Sequence, residues 1–90
     1  MKKLTDEEMK LLQEGTDAKE ALQNPAIASA INSLSEALAN SILNTKPEDS
    51  AKREMLFNVH LALRELVAIL NQRVNVKENL ESQMVEEEND

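Results

Sequence analysis

The stretch MLFNVHLALRELVAIL, Met55 to Leu70, decides the fold. Set on a helical wheel at about 100° per residue, Leu56, Val59, Leu63, Leu66, Val67 and Leu70 share one broad face, and Val74 continues it. Phe57, Leu61 and Ala68 fall on roughly the opposite side. His60, Arg64 and Asn71 separate the two faces on one flank, and Asn58, Glu65 and Gln72 do so on the other. A helix apolar on two sides sits between neighbours. Leaving a Phe and a Leu in water would forfeit about 1.5 to 3 kcal/mol for each. Two coverings are therefore required, and one partner helix supplies only one of them.

The first covering is found immediately upstream. Asn24-Pro25 opens a helix, because Asn is a favoured N-cap and Pro loses no hydrogen bond at the first helical position. This helix is expected from Pro25 to about Leu43, and Ile27, Ile31, Leu34, Leu38 and Ile42 form its apolar stripe. Beside them, Ala26, Ala30, Ser33, Ala37 and Ser41 make a ridge of small residues that would permit close helix approach, although Ala and Ser are also simply common in helices. Asn44-Thr45-Lys46 is a tight connection, and Pro47-Glu48-Asp49 carries the Pro and first-turn acids of the next helix. So short a loop implies an antiparallel hairpin. Its core is expected to comprise Ile27, Ile31, Leu34, Leu38 and Ile42 against Leu56, Val59, Leu63, Leu66 and Leu70.

The second arm is expected from Pro47 to about Arg73. Val74-Asn75-Val76 is a poor helical stretch, so a continuation to Met84 is left open, and the terminal EEEND is expected to fray. If the helix is continuous, residues 47 to 84 extend more than about 50 Å, against roughly 30 Å across a compact domain of this size. That length favours a second subunit as the cover for Phe57, Leu61 and Ala68. An N-terminal arm is the rival cover. Thr5 with Glu8 reads as a capping box, Gly15 is expected to end that first helix, and Asp17 with Glu20 suggests a short further turn reaching Gln23. Residues 1–23 are thus the arm, 24–74 the hairpin and 75–90 a helical extension fraying into an acidic tail.

Composition agrees with helices. One Gly, two Pro, one Phe and no Trp or Tyr, with abundant Ala, Leu, Glu, Lys and Gln, argue against a sheet. No Cys is present, which removes disulfides and thiolate chemistry and is compatible with a reducing cytosol. The start, MKKLTDEE, has acid where a signal peptide needs an apolar stretch, and the longest apolar run, Leu66 to Leu70, is too short to span a bilayer. A soluble, cytoplasmic protein with no membrane contact is expected. The net charge of −7 disfavours direct nucleic-acid binding.

No chemistry-bearing constellation stands out. His60 is the sole histidine and lacks further ligands for zinc, or a nucleophile beside it, so a structural or solvated role at the polar margin is expected. Gly15 alone makes no phosphate-binding loop, and the acids do not follow the EF-hand pattern. Glu86, Glu87, Glu88 and Asp90 read as a solvated tail, and Lys52 or Arg53 as partners for Glu48 or Asp49. The expectation is no catalytic residue, no metal and no cofactor.

The run from Leu22 to Val74 resembles a loosely defined group of small helical proteins of tailed bacteriophages. The resemblance rests on LQNPAIASAI (22–31), NTKPED (44–49) and KREMLFNVHLALRELVAIL (52–70). It covers somewhat more than half the chain. Phe57 stands where that group carries a larger aromatic such as Trp or Tyr. The resemblance implies a phage protein encoded among genes for head assembly and DNA packaging, and it brings no catalytic or binding residue with it.

The expectation is an all-α protein: an antiparallel helical hairpin with a short N-terminal helical arm, assembled into a helical-bundle homo-oligomer. Its work would be non-enzymatic assembly or interaction in the host cytoplasm or the virion, with a protein partner as well as its own copies. Phe57, Leu61 and Ala68 would meet a subunit or the arm. An alternative is an acidic inhibitor that occupies a basic nucleic-acid-binding site on a host protein, motivated by small size and negative charge. A third, a secretion needle or chaperone subunit, shares the Pro-containing hairpin turn.

Overall fold

Three helices follow one another in the computed structural model, which describes the backbone of residues 3–89 and the side chains of residues 3–86. They are α1 (Asp6–Gln23), α2 (Pro25–Leu43) and α3 (Ser50–Asn89). No strand occurs among the described residues. Each start has a local cause. The Thr5 hydroxyl accepts from the Glu8 amide at 3.0 Å, and the Glu8 carboxylate accepts from the Thr5 amide at 3.1 Å, closing the capping box. Asn24 Oδ1 accepts from the amides of Ala26 (2.9 Å) and Ile27 (3.3 Å), so a single residue ends α1 and caps α2.

The third start lies later than the Pro47 signal suggests. Pro47 and Glu48 sit in a turn that is closed at both ends: the Asp49 amide donates to the Lys46 carbonyl at 2.9 Å, and the Lys46 amide donates to the Asp49 carboxylate at 3.2 Å. The helical ladder then begins with the Arg53 amide donating to the Asp49 carbonyl. Arg53 does not reach for Glu48 or Asp49 as its sequence spacing suggests. Its guanidinium crosses the connection and donates to Thr45 Oγ1 at 3.1 Å and to the Lys46 carbonyl at 2.9 Å, fastening the loop to α3.

α3 continues without a break through Val74-Asn75-Val76 to Asn89, 40 residues in all. Val74 and Val76 are half-buried, and tertiary packing here overrides weak intrinsic propensity. Of the acidic tail, the side chains of Glu87, Glu88 and Asp90 lie outside the described residues. α2 lies along the N-terminal half of α3 with opposite chain direction: Ile42 and Leu43 adjoin Phe57 and His60, while Ile31 adjoins Val67 and Asn71. α1 packs on the C-terminal half of α3, with Leu11 and Glu14 beside Ile69, Arg73 and Val76. α1 and α2 touch each other least.

Gly15 does not end α1. The helix runs straight through it, and Gly15 and Ala18 are the buried residues of that helix. A Cβ placed on Gly15 would lie 2.7 Å from the Arg73 carbonyl oxygen and overlap Lys77 Cβ. The glycine is therefore a point of close helix approach rather than a stop signal.

The result is long and thinly covered. The chain measures 64 × 24 × 20 Å with a radius of gyration of 18.9 Å, where a compact chain of this length has about 12 Å. Its accessible surface is 6869 Å², where a folded monomer of this mass exposes about 5,300 Å². Only Ala18 and Leu38 are buried among the apolar side chains described.

The close approach at Gly15 predicts the sign of a substitution there. Gly15→Ala raises helix propensity by about 1 kcal/mol, but it pushes a methyl group into backbone at a cost of about 1 to 3 kcal/mol. Thermal unfolding followed by circular dichroism is expected to give a lower midpoint for the variant, and a raised midpoint would contradict the contact.

Candidate interaction surface

The seam between α2 and α3 defines the outer faces of the hairpin. On α2 the residues turned inward are Ala28, Ile31, Ser35, Leu38 and Ile42, and on α3 they are Leu56, His60, Leu63, Val67, Leu70 and Val74. All are buried or half-buried. The spacing on both helices alternates three and four residues, as a helix-to-helix seam requires.

This seam is rotated from the one that the apolar pattern suggests. Ile31, Leu38, Ile42, Leu56, Leu63 and Leu70 do face it, but Ile27, Leu34, Val59 and Leu66 lie outside it, and Leu66 is 51% exposed. They are therefore not hairpin core within the chain. His60 takes the place that Val59 was expected to occupy, because α3 must also turn the side bearing Ile69, Arg73 and Val76 toward α1. A straight helix cannot reorient its two halves separately. His60 stands half-buried where the seam meets the cleft lined by Arg64 and Asn71, the margin expected from sequence, and its Nδ1 is buried with no hydrogen-bond partner. Its ring lies 6.5 Å from that of Phe57.

Two outer faces flank the seam. Viewed down the pair, antiparallel helices wind in opposite rotational senses, so residues one position before the seam on each helix emerge on the same side. On that side stand Ile27, Ala30, Leu34 and Ala37 of α2 and Met55, Val59, Ala62, Leu66 and Ile69 of α3, all exposed. A shallow groove between Ala51, Met55, Val59 and Ala62 runs along it, with Glu54 and Asn58 at its edge. Toward the C-terminus, the same side of α3 is where α1 docks, at Ile69, Arg73 and Val76.

Residues one position after the seam emerge on the other side, among them Asn32, Ala39, Leu43, Phe57, Arg64, Ala68 and Asn71. A cleft of about 340 Å³ there is bounded by Ile31, Asn32, Ser35, His60, Arg64 and Ala68, among others. Phe57 is 49% exposed and Leu61 43%, and Leu43 near the turn is more exposed still. α1 packs on the other side and farther along α3, so within one chain the arm does not cover Phe57 or Leu61. Of the three residues singled out in sequence for a subunit contact, Ala68 lines the cleft, while Phe57 and Leu61 remain exposed.

Among the described residues, no group of three or more His, Cys, Asp or Glu is placed to hold a metal ion. Among the same residues, no helix is long and apolar enough to cross a membrane. Comparison of the chain with protein-family models, curated proteins and solved structures gives no match. Its surface must therefore be read from its own residues. Of the apolar stripe from Met55 to Ile69, sequence reading placed Val59 and Leu66 in the hairpin core and left Met55, Ala62 and Ile69 unassigned. The signal that unites them is the four-three alternation of Met55, Val59, Ala62, Leu66 and Ile69, which parallels the seam one residue out of phase.

The unpartnered His60 nitrogen makes a stability prediction. A buried polar atom without a partner is costly, and its replacement by an apolar group of similar size removes that cost. His60→Leu is expected to stabilise the helical fold by about 1 kcal/mol, raising the thermal midpoint by roughly 4 to 8 °C. An unchanged or lower midpoint would show that the nitrogen finds a partner in solution.

Proposed function

We infer that this chain is a non-enzymatic interaction component that works as an oligomer, its helices forming a bundle with those of other copies. One observation carries the reading: the chain exposes roughly 1,500 Å² more surface than a compact monomer of its mass, and the exposed residues include an ordered apolar stripe on one side of the hairpin and a smaller apolar group near the turn on the other. Contiguous apolar patches of several hundred Å² mark protein contacts rather than solvent-facing surface. The absence of a matching family leaves the phage resemblance of residues 22–74 as the guide to setting. On that basis the proposed role is in bacteriophage virion assembly or packaging, carried out in the host cytoplasm or within the particle.

The acidic-inhibitor alternative would rest on negative charge, and the exposed stripe of Met55, Val59, Ala62, Leu66 and Ile69 is uncharged. The surface thus favours apolar helical partners over a basic nucleic-acid site.

Size exclusion coupled to light scattering tests the reading directly. The full chain at tens of micromolar is expected to give at least twice its 10.1 kDa mass and to dissociate on dilution. A mass of one chain at every concentration would overturn it. For the setting, genes for head or packaging proteins are expected beside its own, and neighbours from a secretion operon would remove the phage role.

A further inference from the structure

We propose that the face bearing Met55, Val59, Ala62, Leu66 and Ile69 docks a second copy of this chain through the same face, with the two α3 helices antiparallel and crossing at Ala62. The inference deepens the oligomeric reading above and rests on it.

Three observations select this occupant. The first is continuity. Farther along α3, this same side is already a helix-docking surface, where Leu11 and Glu14 of α1 adjoin Arg73, Val76 and the edge of Ile69; Ile69 itself stays 38% exposed, and the bare stretch runs from it toward the N-terminus of α3. The second is order within the stripe. A two-fold contact brings one patch against itself, so it must be self-complementary. About Ala62, the large residues stand at −7, −3, +4 and +7, and reversing the helix places them at −7, −4, +3 and +7. Met55 then meets Ile69 of the second copy, Val59 comes beside Leu66, and the smallest side chain sits at the crossing, where two helices must approach most closely. At the edge, the Asn58 amide falls near Glu65 of the second copy and supplies a donor to its carboxylate, so no like charges meet there.

The third observation is area. A stable two-chain interface takes about 800 Å² from each partner, and the surface excess of 6869 Å² over about 5,300 Å² accommodates it. Ile27 and Leu34 of α2, exposed on the same side, would flank the crossing and widen the contact from one helix to two. The opposite side offers less: Arg64, Asn71 and Asn32 interrupt it, and its apolar residues gather only near the α2–α3 turn.

Single thiols provide the test, because the natural chain has no cysteine. Full-length Ala62→Cys, treated with diamide, is expected to form a disulfide-linked dimer, each thiol giving up its proton and one electron to the oxidant. Ala68→Cys on the other side is expected to cross-link at least 10-fold more slowly. To fix direction, chains carrying Met55→Cys are mixed with chains carrying Ile69→Cys. A mixed disulfide supports antiparallel pairing, whereas cross-linking of Met55→Cys to itself alone overturns it. Leu66→Glu, which lies outside the hairpin seam, should keep its helical circular dichroism while the dissociation constant rises by roughly 100-fold. If the natural chain associates but Ala68→Cys cross-links in preference to Ala62→Cys, this interface is wrong and the oligomeric reading survives. A natural chain that stays monomeric sinks both.

Discussion

One straight helix serves two partners on two different sides, and the rest of the molecule follows from that constraint. α3 must present Leu56, His60, Leu63 and Val67 to α2 and, farther along, Ile69, Arg73 and Val76 to α1. A helix of 40 residues has a fixed angular relation between its two halves. The choice that satisfies both contacts draws a histidine into the seam and turns Val59 and Leu66 out of it. An orphaned His60 nitrogen and an exposed apolar stripe are thus two results of one compromise. Burial elsewhere does not compensate, since no third helix lies over the N-terminal half of α3.

Local signals in the sequence were legible where one or two residues decide an outcome. The Thr5–Glu8 box and the Asn24-Pro25 junction mark helix starts through hydrogen bonds that their own side chains make, so no distant contact is needed to read them. Gly15 misled, and Val74-Asn75-Val76 left the continuation of the helix open, for the opposite reason. Their intrinsic preferences argue against a helix, but the packing of α1 on α3 requires a residue without a side chain at one point and half-buried valines at the other. Such requirements appear only when two segments distant in sequence are brought together. Pro47 lies between these cases: it does mark the turn, and the Lys46–Asp49 hydrogen bonds then delay the helix by a few residues.

The candidate surface was half legible for a related reason. That α3 is apolar on more than one side is plain from the order of its residues, as is the separation of Phe57 and Leu61 from the face that meets α2. Which apolar residues face α2 depends on a rotation of about one third of a turn or less, and a broad stripe tolerates several such rotations. Only the position of α1 fixes it. The member that changes place is informative in its own right: Leu66, apparently central to the hairpin, belongs to the outer face.

The division of α3 between two helices that touch each other less than either touches α3 also shapes how the molecule opens. Contacts along an elongated helical chain are mostly local in each half, so unfolding need not be all-or-none, and cooperative units tend to follow such segments. α1 with the C-terminal half of α3 forms one unit, and α2 with the N-terminal half forms the other. They share the backbone around Ile69 to Val74 and the single residue Asn24. Amide protons of α1 and of α2 can therefore each exchange with solvent through release of that helix alone. The chain is mechanically a stiff spine with two separately detachable clasps.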